Sequence, residues 1–227
     1  LNRGSFRAIG NNVDIIPSNF EDKAVKIKFD GDTISNIYEI DSTTGDILRE
    51  QKKIIIFPSS HYVVEKLTTE KAIKSIEKEL KKQVKSLKGQ GKLDEMKRIQ
   101  ERTSRDLELM EIMGFCPGIE NYSRHLDQRR SGEPPCTLID YFPEDFLLVI
   151  DESHQTIPQI RGMYEGDRSR KQTLVDHGFR LPSALDNRPL NINEFEKKIN
   201  QVIYVSATPS SYEIDNSSKD VVEQIIR

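Results

Sequence analysis

The sequence predicts an α/β protein made of a small β-rich part, a helical part and a part built around a parallel sheet. Three observations carry this. The first third holds short apolar or alternating runs separated by turn formers. From Thr68 the apolar spacing changes to that of a helix, and later two apolar runs each end abruptly in a polar tip.

Taken in order, Ser5 to Ile9, Val13 to Ile16, Ala24 to Phe29, Ile34 to Ile40 and Ile54 to Phe57 read as strands. Gly10-Asn11-Asn12, Gly31-Asp32 and Thr44-Gly45-Asp46 supply the turns, so residues 1 to 60 form a small antiparallel sheet whose beginning is expected upstream. Ile73, Ile76, Leu80, Val84 and Leu87 then fall at helical spacing behind the N-cap candidate Thr68-Thr69-Glu70. Gly89 and Gly91 break that helix, and Leu93, Met96, Ile99, Leu107, Met110 and Met113 mark a second one ending at Gly114, making a helical hairpin within 61 to 135. The lysine-rich face of the first helix reads as a solvated surface in preference to a DNA patch.

Phe115 to Pro135 reads as irregular, and loops of this length usually carry function. Tyr122 and Arg124, with His125, Arg129 and Arg130, have the chemistry to stack on bases and pair with phosphates; the alternative is that Tyr122 packs and the arginines solvate a turn. Residues 136 to 227 hold the strand Phe146 to Ile150, expected to be covered on both faces, and the strand Val202 to Val205, with a short helix from Glu194 to Asn200. Between them basic residues, Arg161 and Arg188 among them, interleave with aromatics and turn formers as a groove tracking a phosphate backbone requires.

The chemistry concentrates at the strand tips. In an open parallel sheet ligands bind beyond the carboxyl ends of the strands, where Asp151 and Glu152 follow one run and Ser206-Ala207-Thr208-Pro209 the other. One acid suits Mg²⁺ and the second suits orienting or deprotonating a water. Each pair alone is also common loop and N-cap chemistry. Together, in this order, they match the second and third motifs of superfamily 2 helicases, so the chain reads as the middle of a larger motor. No Gly-x-x-x-x-Gly-Lys-Ser/Thr phosphate loop is present; Gly89-Gln90-Gly91-Lys92 has the wrong spacing and reads as a turn.

Composition bounds the rest. With 35% hydrophobic and 31% charged residues and a net charge of −3, the 227-residue chain gives no global nucleic-acid signal. No apolar run reaches the roughly 20 residues of a membrane span, and the first residues show no signal peptide. Two cysteines, Cys116 and Cys136, suit reduced thiols in a cytoplasmic protein better than a disulfide scaffold or zinc site.

Four longer strings are more distinctive: Gly118 to Arg124, Phe146 to Pro158, Gly178 to Leu190 and Tyr204 to Pro209. In these the chain resembles the UvrB family of bacterial nucleotide excision repair over nearly its whole length. The resemblance implies a protein loaded on damaged DNA by UvrA, which verifies damage with ATP and Mg²⁺ and recruits UvrC. It implies a UvrA-binding sheet in residues 1 to 60 with Arg7, Lys26 and Lys28 on its surface, a DNA-clamping helical domain, and, in the last part, half of a RecA-like motor domain with the sheet and the helical hairpin inserted. There Asp151 would hold Mg²⁺, Glu152 would activate water, and Ser206 and Thr208 would couple nucleotide state to movement. The family's charge pattern departs at Ile9, which loses a charge, and at Lys28, which reverses one. The phosphate loop and second motor domain are expected outside the chain, so this piece is expected to bind UvrA without hydrolysing ATP or holding nucleotide tightly. The alternatives are the UvrB-like part of a transcription-repair coupling factor, which has degraded ATPase motifs, and a non-catalytic interaction module.

Overall fold

Alternation of apolar and polar residues around glycine turns gives the first five elements. In a computed structural model that describes residues 2–217 and 221–225, β1 (Ser5–Ile9), β2 (Asn12–Ile16), β3 (Lys23–Asp30), β4 (Thr33–Asp41) and β5 (Ile47–Gln51) form one antiparallel sheet in sequence order. Ile16, Ala24 and Ile40 are buried together with Tyr38 packed on them. The chain divides into two compact units, Leu1–Val63 and Val64–Arg227, and this sheet is the substance of the first.

One expected strand is misplaced. Ile54 to Phe57 is not a strand; the fifth strand is Ile47–Gln51, directly after the Thr44-Gly45-Asp46 turn. The reason lies in a buried charge. Glu39 on β4 is 3% exposed, and Arg49 and Gln51 of β5 donate to its Oε2 at 2.9 and 2.7 Å, while Lys23 reaches its Oε1 at 2.6 Å. A polar strand is needed there because a buried carboxylate must be paired.

The second unit starts with the helical hairpin. Helix α1 (Lys66–Gly89) buries Ala72, Ile76, Leu80 and Leu87, and α2 (Leu93–Met113) buries Ile99, Thr103, Asp106 and Met110. The first begins ahead of the expected cap, with Glu65 at the N-cap and no side-chain cap bond. Gly114 closes α2 in the left-handed region at φ 69°, where its N–H donates to the Met110 carbonyl. The stretch after it is less irregular than expected, with a 3₁₀ turn at Ile119–Tyr122 running into α3 (Ser123–Leu126).

Beyond it, β6 (Leu147–Ile150) and β7 (Gln201–Tyr204) pair in parallel, Ile150 opposite Tyr204. Between them the chain forms α4 (Ser153–Asp176), a 3₁₀ turn at Pro182–Asp186 and α5 (Ile192–Lys198); α6 (Ser211–Asn216) follows β7. Ile150, Ile157, Leu190 and Phe195 make the core here, each such side chain contributing about 1.5–3 kcal/mol. The expectation that β6 is covered on both faces fails: Leu147 and Val149 are both 55% exposed, because α4 and α5 cover only the Leu148 and Ile150 side. The expected basic groove between the strands is largely the 24-residue helix α4, despite Pro158 inside it. Its C-terminal end meets the start of α2, where Arg98 donates to the His177 carbonyl and stacks on Phe179 at 4.4 Å.

Candidate functional site

The parallel pairing of β6 and β7 places two polar tips side by side. The ladder continues past the strands: Val205 N–H donates to the Ile150 carbonyl at 2.9 Å, and Ser153 N–H donates to the Val205 carbonyl at 3.0 Å. Asp151 and Glu152 are exposed at the carboxyl end of β6. Glu152 is the N-cap of α4 and sits at φ 45°, a left-handed conformation that costs a non-glycine residue on the order of 1–3 kcal/mol. The Asp151 carboxylate accepts the Glu152 N–H at 2.9 Å, and Thr156 Oγ1 donates to the Asp151 carbonyl at 2.9 Å.

His154 joins the two tips. Its Nδ1 lies 2.7 Å from Ser206 Oγ and 3.4 Å from Glu152 Oε2, and Thr208 N–H donates to the same Ser206 oxygen at 3.0 Å. Asp151, Glu152, Ser206 and Thr208 are thus brought into one neighbourhood, whereas His154 carried no role in the sequence reading. His154 is the second residue of α4 and follows the left-handed Glu152, a backbone reversal that no local spacing in the sequence announces. Exposed carboxylates are the hard-oxygen ligand type that magnesium accepts.

The residues expected to contact DNA are placed differently. Tyr122 is 5% exposed and donates to Asp106 Oδ2 at 2.7 Å; burial and that carboxylate push its phenol well above the usual range. Arg124 pairs with Asp186 at 2.6 Å and Glu79 at 3.4 Å. Arg188 holds Glu194 through both nitrogens at 2.7 and 2.8 Å and lies over the Tyr164 ring. These three are internal fasteners, because a buried guanidinium or phenol must find a partner. Arg161 is exposed, with its guanidinium 4.7 Å from the Tyr212 ring centroid. Glu79 anchors the network: its Oε2 is 2.6 Å from His125 Nε2 and its Oε1 accepts Ser183 N–H at 2.8 Å.

In the sheet unit the register lines up Arg7, Asp14, Lys26, Tyr38 and Glu50 in one cross-strand row, and Ile9, Asn12, Lys28 and Asn36 in the next. Side chains two apart on a strand share a face, so Arg7, Lys26 and Lys28 are presented together. Arg7 forks onto Asp14 Oδ2 at 3.1 and 3.0 Å, and Lys28 lies over Tyr38.

Residues 1–62 match the family described as UvrB interaction domain, and residues 67–128 match the UvrB third helical domain. The chain belongs to the UvrB family. It is 59% identical over 225 residues to UvrABC system protein B of Natranaerobius thermophilus, and 58% identical over 227 residues to that of Clostridium beijerinckii. The counterpart from Bacillus caldotenax is 56% identical over 225 residues. These alignments cover 99 to 100% of this chain and 34% of each relative, so the chain spans about a third of the length of the curated relatives it matches. No helix among the described residues is long and apolar enough to cross a membrane.

Proposed function

We propose that this chain is the partner-docking and helical portion of a UvrB-type excision repair protein, and that its own activity is to bind UvrA through the sheet unit. The observation that carries this is the folded five-stranded sheet with Arg7, Lys26 and Lys28 on one face, in the segment that matches the UvrB interaction domain. Residues 1 to 60 serve as the UvrA-binding domain, 61 to 135 as a helical domain at DNA, and 136 to 227 as part of a helicase-like motor. The partners of the whole protein are then UvrA, UvrC and damaged DNA, and its place is the cytoplasm.

The β6 and β7 tips are the motor's contribution. Asp151 would hold Mg²⁺ through water and Glu152 would orient the attacking water, with Ser206 and Thr208 responding to the nucleotide; the exposed carboxylates beside hydroxyl donors support that assignment. Bound ATP and Mg²⁺ supply the phosphoryl chemistry, and this chain's residues supply acids and a hydrogen-bonded link between strand tips.

Calorimetric titration of the chain against purified UvrA, with phosphate release followed in the same samples, tests the reading. Saturable binding without added turnover is expected. Arg7→Glu should weaken binding at least tenfold, with circular dichroism checking the sheet because Asp14 loses its partner. Absence of binding by the unaltered chain would sink the assignment.

A further inference from the structure

Helix α1 carries a second pattern opposite its buried stripe. Lys71, Lys74, Lys78, Lys81, Lys85 and Lys88 recur at alternating intervals of three and four residues, and all are exposed. At about 100° per residue these positions fall on one face, away from Ala72, Ile76, Leu80 and Leu87. Among the described residues none of the six enters an ion pair, and the lysines that do are Lys23, Lys171 and Lys198. Glu70 and Glu77 lie at one edge of the stripe, four residues before Lys74 and Lys81, yet among the described residues neither enters an ion pair, and Glu79 is turned inward to Arg124 and His125. Eight lysines against three glutamates give the helix a net charge of +5 in a chain of net −3.

A face that only had to stay wet would carry the two signs in comparable number, since Glu and Lys three or four residues apart stabilise a helix and like charges at that spacing destabilise it. Here the like-charge spacing is sustained for five steps. At about 1.5 Å per residue the stripe runs about 25 Å, the axial length of roughly seven nucleotides of one duplex strand at 3.4 Å each. Lysine offers point charges on flexible stems, which suit phosphates and read no base edge.

We propose that the outer face of α1 is a sequence-independent docking surface for the phosphate backbone of DNA. The proposal rests on the reading of the chain as part of a DNA repair protein and names the surface that reading lacks, now that Tyr122, Arg124 and Arg188 are tied up internally.

The test is fluorescence anisotropy of the purified chain with a labelled duplex of mixed sequence over a salt series. The variant joining Lys74→Gln, Lys78→Gln, Lys81→Gln and Lys85→Gln keeps helix propensity. It should bind at least tenfold more weakly, with the slope of log affinity against log salt reduced by about 3.6. The same four positions changed to Arg should retain binding, and Lys52→Gln with Lys53→Gln in the sheet unit should leave it unchanged. Equal affinity and slope in the four-glutamine variant would overturn the proposal, as would absence of duplex binding or binding to phosphatidylserine vesicles in its place. Calorimetry against UvrA on the same preparations reads the sheet unit separately: retained UvrA binding beside lost duplex binding is the expected outcome for the variant, and failure of UvrA binding alone would refute the docking assignment without touching this one.

Discussion

His154 Nδ1 and Ser206 Oγ, 52 residues apart in sequence, meet at 2.7 Å across the tips of two parallel strands. Because Thr208 N–H donates to the same hydroxyl, one oxygen organises both the loop after β7 and the start of α4. Ser206→Ala should remove both bonds at a cost of about 0.5–1.5 kcal/mol each. Amide exchange at Thr208 should accelerate and the His154 ring resonances should shift, read by NMR. Unchanged His154 resonances would contradict the link.

Arg124 bridges Glu79 of α1 and Asp186 of the 3₁₀ turn with its side chain 14% exposed. Arg124→Ala leaves two carboxylates facing each other out of water, and breaking a buried pair by removing one partner costs about 3–5 kcal/mol. Hydrogen exchange should show the loss within residues 64–227, at α1 and the turn. A loss under about 1 kcal/mol in urea unfolding would mean water replaces the guanidinium freely.

Gly178, at φ 69°, lies against α2: a Cβ there would come within 2.3 Å of the Glu95 carbonyl oxygen. Gly178→Ala should therefore destabilise by more than about 2 kcal/mol, strain and backbone collision acting together. Gly166 sits inside α4 with nothing within 4 Å of a new Cβ, so Gly166→Ala should stabilise by about 0.5–1 kcal/mol. Thermal unfolding of the two variants should move in opposite directions.

Acid should loosen both units late. The hydrogen bond from Lys23, joined by Arg49, holds Glu39 below the usual carboxylate range against the opposing effect of burial. Burial alone would raise Glu79, but hydrogen bonds from His125 and Ser183 and the charge of Arg124 outweigh it and leave it lowered. Asp140 is pulled from 3.8 to about 2, first by Lys198 and then by the Thr137 N–H. Carboxylates depressed on folding contribute stability that is complete above their unfolded values and lost as pH falls through the folded ones. The carboxylate contribution to the urea midpoint should therefore hold down to about pH 4.5 and fall below it. Carbon NMR placing the Asp140 carboxyl above 3.8 would refute the Lys198 contact.

The strands β1 to β4 and the helical hairpin were legible because each is written in local periodicity. The β5 strand was not, since its apolar content is slight and its pairing logic is the buried Glu39, ten residues upstream of Arg49. Helix α4 was hidden by Pro158, Gly162 and Gly166, which together read as loop. At the candidate site the acids and hydroxyls were visible as strand endings, but the fate of Tyr122, Arg124 and Arg188 was not. Their partners Asp106, Asp186 and Glu194 are acids that a sequence presents as ordinary surface charge.

The bare side of the parallel strand pair has a practical consequence. Leu147 and Val149 are 55% exposed, and Ile203 and Val205 are 49% and 44% exposed on the neighbouring strand. Apolar β-surface open to water is adhesive. At millimolar concentration this face gives copies of the chain a place to adhere, so turbidity and light scattering should rise with concentration before the fold is lost. A single lysine in place of Val149 would be the economical remedy.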